Sequence, residues 1–443
     1  MSPKSFLKAF LFSVSLFLSG IPAFSQKAYE EIRSDTSKAW GVCDVYHFDT
    51  PVSPIAPKGY KPFYISHFGR HGARFASSGS AYPKIMELFS KAHSAGILTE
   101  KGEEFYKKYA AVFPSVKYRN GDLTSVGAEE EYLLASRMFD NYPQVFRGKA
   151  KVIASATYVT RCIMTMSSFC DGLKIKNPSL VFTRNASYSD MYFMNPTSSY
   201  NPDVKGSEAG LRNSHAVWNR DMKAFEKEKM HPETVFAGLF TDPSYVKKFG
   251  NPYTLEYYLY YIAASMSCIG NGVDLTYIFP FNELCGIWES DNYLYYVSKG
   301  PDGRQKGRQW AFSWTLLDDI IKKADTDIAS GDCSARLRFG HDITIMNMMA
   351  LLGIRGWDES VSDPELVKDV WQDYRVPMAS NLQLIFYRKG KNSDDIIVRL
   401  MYNEKNVVLP IDSDIAPYYS WQSFRDYCLE RISVARNIIK STD

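Results

Sequence analysis

Several features are missing from this sequence, and each absence removes a class of protein. Beyond residue 25 no stretch approaches 18 uninterrupted apolar residues, so no second membrane-spanning helix is expected. The seven cysteines (43, 162, 170, 268, 285, 333 and 428) include no CxxC pair, which speaks against a zinc site. There is no GxxxxGK[ST] phosphate loop and no GxSxG elbow, so P-loop and serine-hydrolase chemistry lack their motifs. Charge is nearly balanced. A formal net charge of +3, or +1 once Lys4 and Lys8 are set aside, leaves no electrostatic footprint for nucleic acid or an anionic membrane. An anionic ligand would need basic residues placed locally. Internal repeats and low-complexity tracts are also absent.

What is present begins with a leader. Lys4 and Lys8 precede a mostly apolar run, Ala9 to Leu18, and Ala23-Phe24-Ser25 has the small-x-small pattern of a cleavage site before Gln26. Residues 1–25 therefore read as a signal peptide and the protein as exported, periplasmic or secreted. An odd number of cysteines leaves at least one thiol unpaired within a chain, and Cys268 and Cys285 are close enough in sequence to pair. At 45% apolar and 23% charged the composition is globular, with a sizeable core. The 30 tyrosines suit polar-tipped packing and ring-shaped ligands, although any single one is expected in the core.

Three segments share one grammar. Phe63-Tyr64-Ile65 runs into "HFGRHGARF" (67–75). Val152-Ile153-Ala154 runs into "SATYVTRCI" (155–163), with helical periodicity from Arg161. Leu337-Arg338-Phe339 runs into "GHDITI" (340–345), at the start of an apolar helix. Strand, loop and helix in succession predict an α/β fold, a mostly parallel sheet flanked by helices. Residues 191–325 differ in character. They open with "NPTSSYNPDVKGSEAG", contain "TLEYYLYYIAASMSCIG" and end near the basic loop "KGPDGRQKGRQ". They are expected to form a mainly helical insertion shaping the substrate cleft, carried on an α/β domain of residues 26–190 and 326–443. "NLQLIFYRKGKNSDDIIVRLMYN" (381–403) predicts a hairpin, and Phe424, Cys428, Ile432 and Ile439 mark one buried side of a last helix.

The chemistry centres on residues 70–74. His67 and His71 have the i, i+4 spacing of a metal pair, but Gly69 and Gly72 disfavour the helix such a pair needs, and no glutamate adjoins either histidine. His67 is expected to be packed or at the rim. A phosphate site fits better. Arg70 and Arg74 flank His71 with two guanidinium forks, Gly72 lets the backbone approach an anion, and the strand is expected to open into a helix whose first N–H groups add positive potential. Arg161, and His341 with Asp342, follow two other strands. Ligands bind beyond the carboxyl ends of strands in open α/β sheets, so all three loops can meet. The remaining histidines (47, 93, 215 and 231) read as surface or structural, Cys162 as a small core residue, and the basic loop as solvated rather than substrate-reaching.

RHGARF followed far downstream by HD resembles the histidine acid phosphatase family, a branch of the histidine phosphatase superfamily whose signature is RHGxRxP with a mid-chain arginine and a late HD pair. "GDLTSVGAEEEY" (121–132) is similar to that family's LTxxG segment. "VRLMYNEKNVVLP" (398–410) is similar to the carboxyl-terminal region of multiple inositol polyphosphate phosphatases and their bacterial relatives. There are two departures. Ala76 stands where the signature usually has proline, which should alter loop rigidity, and His341-Asp342 stands where inositol polyphosphate phosphatases usually read His-Ala-Glu. The resemblance implies a phosphoglycerate mutase-like fold and a phosphoric monoester hydrolase. His71 would be the nucleophile that becomes phosphohistidine, Asp342 the general acid, and Arg70, Arg74, Arg161 and His341 the holders of the phosphoryl oxygens. No metal and no cofactor would be needed, since arginines neutralise the charge. The expected partner is a small phosphomonoester entering between sheet domain and insertion, foremost an inositol polyphosphate, with no nucleic acid and no membrane span. A monomer is favoured. A broad-specificity acid phosphatase is the alternative within the class, and a non-catalytic phosphate- or phytate-binding protein the alternative outside it.

Overall fold

The computed structural model describes residues 27–48, 55–196, 217–390 and 393–442. The leader, most of the loop 195–210 and His215 lie outside the described residues.

Strand β1 (Lys61–Arg70) is buried on both faces from Tyr64 to Arg70, as a central strand must be. It pairs in parallel with β4 (Ala335–Gly340), which pairs in parallel with β2 (Lys151–Ala156), which pairs in parallel with β3 (Val181–Asn185). On its other side β1 is antiparallel to β5 (Asn381–Arg388), and β6 (Ile396–Tyr402) completes the expected hairpin. Short strands β7 (Lys405–Asn406) and β8 (Tyr418–Ser420) both pair with β6. The sheet is therefore mixed. Its parallel half carries the three motifs, and the register aligns Arg70 with Gly340 and Ala156 with Phe339, so the three loops leave from one edge.

Parallel neighbours require crossovers. From β1 to β2 the chain forms α1 (Ala81–Ser94), α2 (Glu100–Val116) and α3 (Ser125–Asn141), and from β2 to β3 it forms α4 (Thr160–Lys176). The connection from β3 to β4 contains the longer helices α5 (Val217–Lys229), α6 (Pro232–Leu239), α7 (Pro252–Ile269), α8 (Phe281–Lys299) and α9 (Trp314–Ser330). After β4 come α10 (Asp342–Leu351) and finally α11 (Trp421–Thr442). Within 191–325 the regular elements among the described residues are all helices, joined by loops, apart from an isolated bridge between Phe240 and Leu98. It does not stand alone, because α1 and α2 pack into it. Phe89 of α1 meets Phe105 of α2 at 4.4 Å and Phe240 at 5.1 Å between ring centroids. No described helix is long and apolar enough to cross a membrane. On α11 Phe424, Cys428, Ile432 and Ile439 are buried together.

All seven cysteines are buried free thiols, so Cys268 on α7 and Cys285 on α8 do not pair. In the basic loop Arg304 is held by the buried Asp302, by Asp221 and by the Tyr293 hydroxyl, which makes it a structural tie between helices.

Candidate active site

The backbone of Arg70 and His71 is gripped from both sides. His71 N–H donates to Gly340 O of β4 at 3.0 Å, while Arg70 N–H donates to Ser380 O at 2.7 Å and His71 O accepts from Ala379 at 3.0 Å. Behind this loop, residues 375–381 are pinned by the turn after β6. Tyr402 Oη donates to Arg375 O at 2.5 Å, and Asn403 and Asn381 exchange two bonds of 2.9 Å. The carboxyl-terminal segment thus acts on the site through the loop it holds in place.

The second support is α3. Thr124 caps the helix, accepting from Gly127 N–H at 3.1 Å and donating to Ala73 O at 3.0 Å. A methyl group on Gly72 would land on the carbonyl of Gly127, and one on Gly127 would land on Ala73. Glycine is needed at both positions because two backbones touch there. Glu130 accepts Ala73 N–H at 2.7 Å and Tyr46 N–H at 2.7 Å. Burial raises its carboxyl to about 7, against the pull of those two bonds.

These contacts account for one correction. The helix expected directly behind Arg74 is absent: residues 71–80 are a loop apart from a bridge between Arg74 and Leu123, and α1 begins at Ala81. Glu130 and Thr124 occupy the amide and carbonyl of Ala73 that a helix start would use. The helix N-termini at this edge belong to α4, beside Arg161, and to α10, beside Asp342. At position 76 the alanine N–H donates to the Tyr82 hydroxyl at 2.9 Å, a bond that proline could not make.

His71 is buried, and its Nδ1 lies 2.9 Å from Gly72 O. A carbonyl only accepts, so Nδ1 carries the proton and Nε2 keeps its lone pair. Burial, then Arg161, Arg70, His341 and Arg74, hold the imidazole well below its usual range, so it stays neutral in mild acid. The His341 ring stands edge-on to it at 5.7 Å and is lowered to about 4 by burial and Arg161. His341 Nε2 faces the Thr157 hydroxyl at 3.4 Å and Cys162 Sγ at 3.9 Å.

The arginines are not equivalent. Arg70 gives Nη1 to Val42 O and Val376 O at 2.6 and 2.8 Å, and its Nη2 is 2.9 Å from Asp342 Oδ2. Arg74 gives Nη1 to Phe75 O. Arg161 is partly exposed and reaches over Gly121, where a side chain would come within 3.5 Å of Nη1. The buried Nε groups of Arg70, Arg74 and Arg161 have no acceptor. Asp342 opens α10 and accepts from Ile343 N–H at 2.8 Å. Burial alone would raise its carboxyl, but Arg70 and His341 outweigh burial and hold it below the usual carboxylate range. All six predicted residues therefore lie at one edge, while Thr124, Glu130, Thr157 and Thr165 (which accepts Gly72 N–H at 3.1 Å) are contributed by tertiary contacts.

His67 is no ligand partner. It is packed against Phe169 and Phe339 at 5.2 and 5.4 Å, and burial lowers it to about 3. The unfolded chain would bind this proton near pH 6.5, so His67 costs nothing above that pH and destabilises the fold progressively from there down to about 3. His67→Gln should therefore lose less stability than the wild type between pH 7 and 4.5, by roughly 1–3 kcal/mol, as read from urea unfolding at both pH values. His47, His93 and His231 pair with Asp44, Glu103 and Glu283.

No family model and no curated protein matches the chain by sequence. Solved structures do match. The multiple inositol polyphosphate phosphatase of Bifidobacterium longum, in complex with inositol hexasulfate, superposes with a TM-score of 0.73 at 16% identity, covering 88% of this chain and 97% of that one. Its phosphate complex gives 0.72 at 18% identity, with 89% and 98% covered. The phytase of D. castellii gives 0.62 at 16% identity, with 92% and 90% covered. This chain has their fold. The mixed sheet with a helical layer is thus a histidine acid phosphatase architecture, as the motifs implied.

Proposed function

We propose that this chain is an exported phosphomonoesterase of the histidine acid phosphatase type, acting on inositol polyphosphates. The observation carrying this reading is the set of three buried Nε–H groups, on Arg70, Arg74 and Arg161, that lack an acceptor around His71. Unpaired buried donors are costly, and several on cations around one imidazole call for a multi-oxygen anion. The inositol substrate class rests on the carboxyl-terminal resemblance and on the structural neighbours, phytases and an inositol polyphosphate phosphatase.

In the proposed reaction His71 Nε2 attacks phosphorus and the ester P–O bond breaks. The leaving alkoxide takes the proton of Asp342, and the arginines with His341 stabilise the equatorial oxygens. Water then attacks the phosphohistidine, giving its proton to Asp342 as inorganic phosphate departs. His341 fits a neutral donor: the Thr157 hydroxyl faces Nε2, which leaves Nδ1–H for a phosphoryl oxygen. Residues 26–190 and 326–443 would form the catalytic domain and 191–325 the cleft wall, with the leader directing export.

The test is phosphate release from inositol hexakisphosphate, a sugar phosphate and an aryl phosphate across pH 3 to 8, with acid-labile phosphate trapped on the protein. Turnover highest in mild acid, with a label that maps to His71, is the expected outcome. Absence of release from all three would sink the reading.

A further inference from the structure

Two helices bring a second polar group against this site, and no step above uses it. On α7, Tyr257, Tyr261, Ser265 and Cys268 recur at helical spacing and share one face. Ser265 Oγ is 3.2 Å from the Tyr82 hydroxyl that receives Ala76 N–H, and Cys268 Sγ donates to Cys43 O at 3.2 Å. That face therefore lies against the motif loop. Tyr257 and Tyr261, nearer the start of α7, keep accessible surface. Tyr295 of α8 adjoins them. Tyr261 and Tyr295 both act electrostatically on Arg74, and Tyr295 feels the charge of Asp342. Asp291, one turn before Tyr295, is buried and accepts the Tyr257 hydroxyl proton.

The string has a direction. Tyr257 gives its one proton to Asp291, so at its 3.2 Å contact with Tyr261 it can only accept. Tyr261 thus donates to Tyr257, and its oxygen has only lone pairs left for any other partner. Burial raises both Asp291 and the neighbouring Asp373, and the Tyr257 bond favours the Asp291 anion. An acceptor backed by a buried carboxylate repels a phosphate dianion and attracts a hydroxyl.

We infer that Tyr261 is a specificity-determining residue whose hydroxyl oxygen accepts a hydrogen bond from a free hydroxyl on the alcohol part of the substrate, beside the ester being cleaved. This rests on the phosphomonoesterase reading and narrows it. Partly phosphorylated inositols and similar polyol phosphates are favoured over inositol hexakisphosphate, which has no free hydroxyl to offer.

The experiment measures kcat/KM at pH 7 for inositol monophosphate, inositol hexakisphosphate and 4-nitrophenyl phosphate. Tyr261→Phe should depress the inositol monophosphate value about tenfold more than the 4-nitrophenyl phosphate value, the scale of one lost hydrogen bond to a substrate hydroxyl. Tyr257→Phe frees the Tyr261 proton for the cleft and should raise hexakisphosphate relative to monophosphate. Equal losses on all three substrates with Tyr261→Phe, or no loss on any, overturn the inference while leaving the phosphatase intact. A wild-type protein inactive on all three overturns both.

Discussion

His71→Ala is expected to abolish hydrolysis of every phosphomonoester, a loss in kcat on the order of 10⁴-fold or more. The loss should not depend on the leaving group, because capture of phosphorus precedes every product. Folding should survive. The His71 main chain is held by Gly340 and Ala379 through bonds an alanine also makes, and the imidazole bonds to the adjacent Gly72 carbonyl. Inorganic phosphate should still bind, because Arg70, Arg74 and Arg161 keep their Nε–H groups. Steady-state turnover and phosphate titration on the same preparation separate the two effects. Undiminished turnover in the variant would remove the covalent mechanism.

Asp342→Asn should distinguish substrates by their leaving groups. An alkoxide departs only with a proton, so alkyl phosphates should slow by about 10²–10³-fold. An aryl oxide is stable without one, and 4-nitrophenyl phosphate should slow by less than about tenfold. The pH profile should change as well. In the free protein Arg70 and His341 hold the Asp342 carboxyl low despite its burial, so its acid form is scarce at neutral pH. A bound phosphate dianion offsets the guanidinium charge of Arg70 and Arg74 and raises the carboxyl toward its working range. Alkyl phosphate turnover should therefore climb as pH falls toward 5, and the asparagine variant should flatten that climb. Equal losses on both substrate types would argue that Asp342 serves mainly to hold Arg70, to which it is ion-paired at 2.9 Å.

The fold was legible where local and tertiary signals agreed. Short apolar runs ending in polar loops, then apolar helices, marked β1, β2 and β4, and the Gly/Asn/Ser turn marked the β5–β6 hairpin. The helix expected behind Arg74 misled because glycine and arginine look alike at a helix start and in a loop clamped by distant residues. Among Glu129, Glu130 and Glu131 nothing local shows that Glu130 turns inward to hold Ala73. The union of α1 and α2 with the helices of 191–325 was equally hidden, since it depends on Phe89 meeting Phe240 across a long separation in sequence.

By itself the sequence determined the chemistry on offer: which side chains stand at three strand ends, and that two arginines flank a histidine beside glycine. Those are properties of neighbours along the chain, and spacing preserves them. Only the tertiary structure decided what each group is free to do. Arg70 is largely committed to Val42, Val376 and Asp342, and His71 is made to present Nε2 by a single carbonyl. Tyr257 can only accept from Tyr261 because Asp291 has claimed its proton. Hydrogen-bond direction and burial depend on partners tens to hundreds of residues away, and only folding brings those partners together.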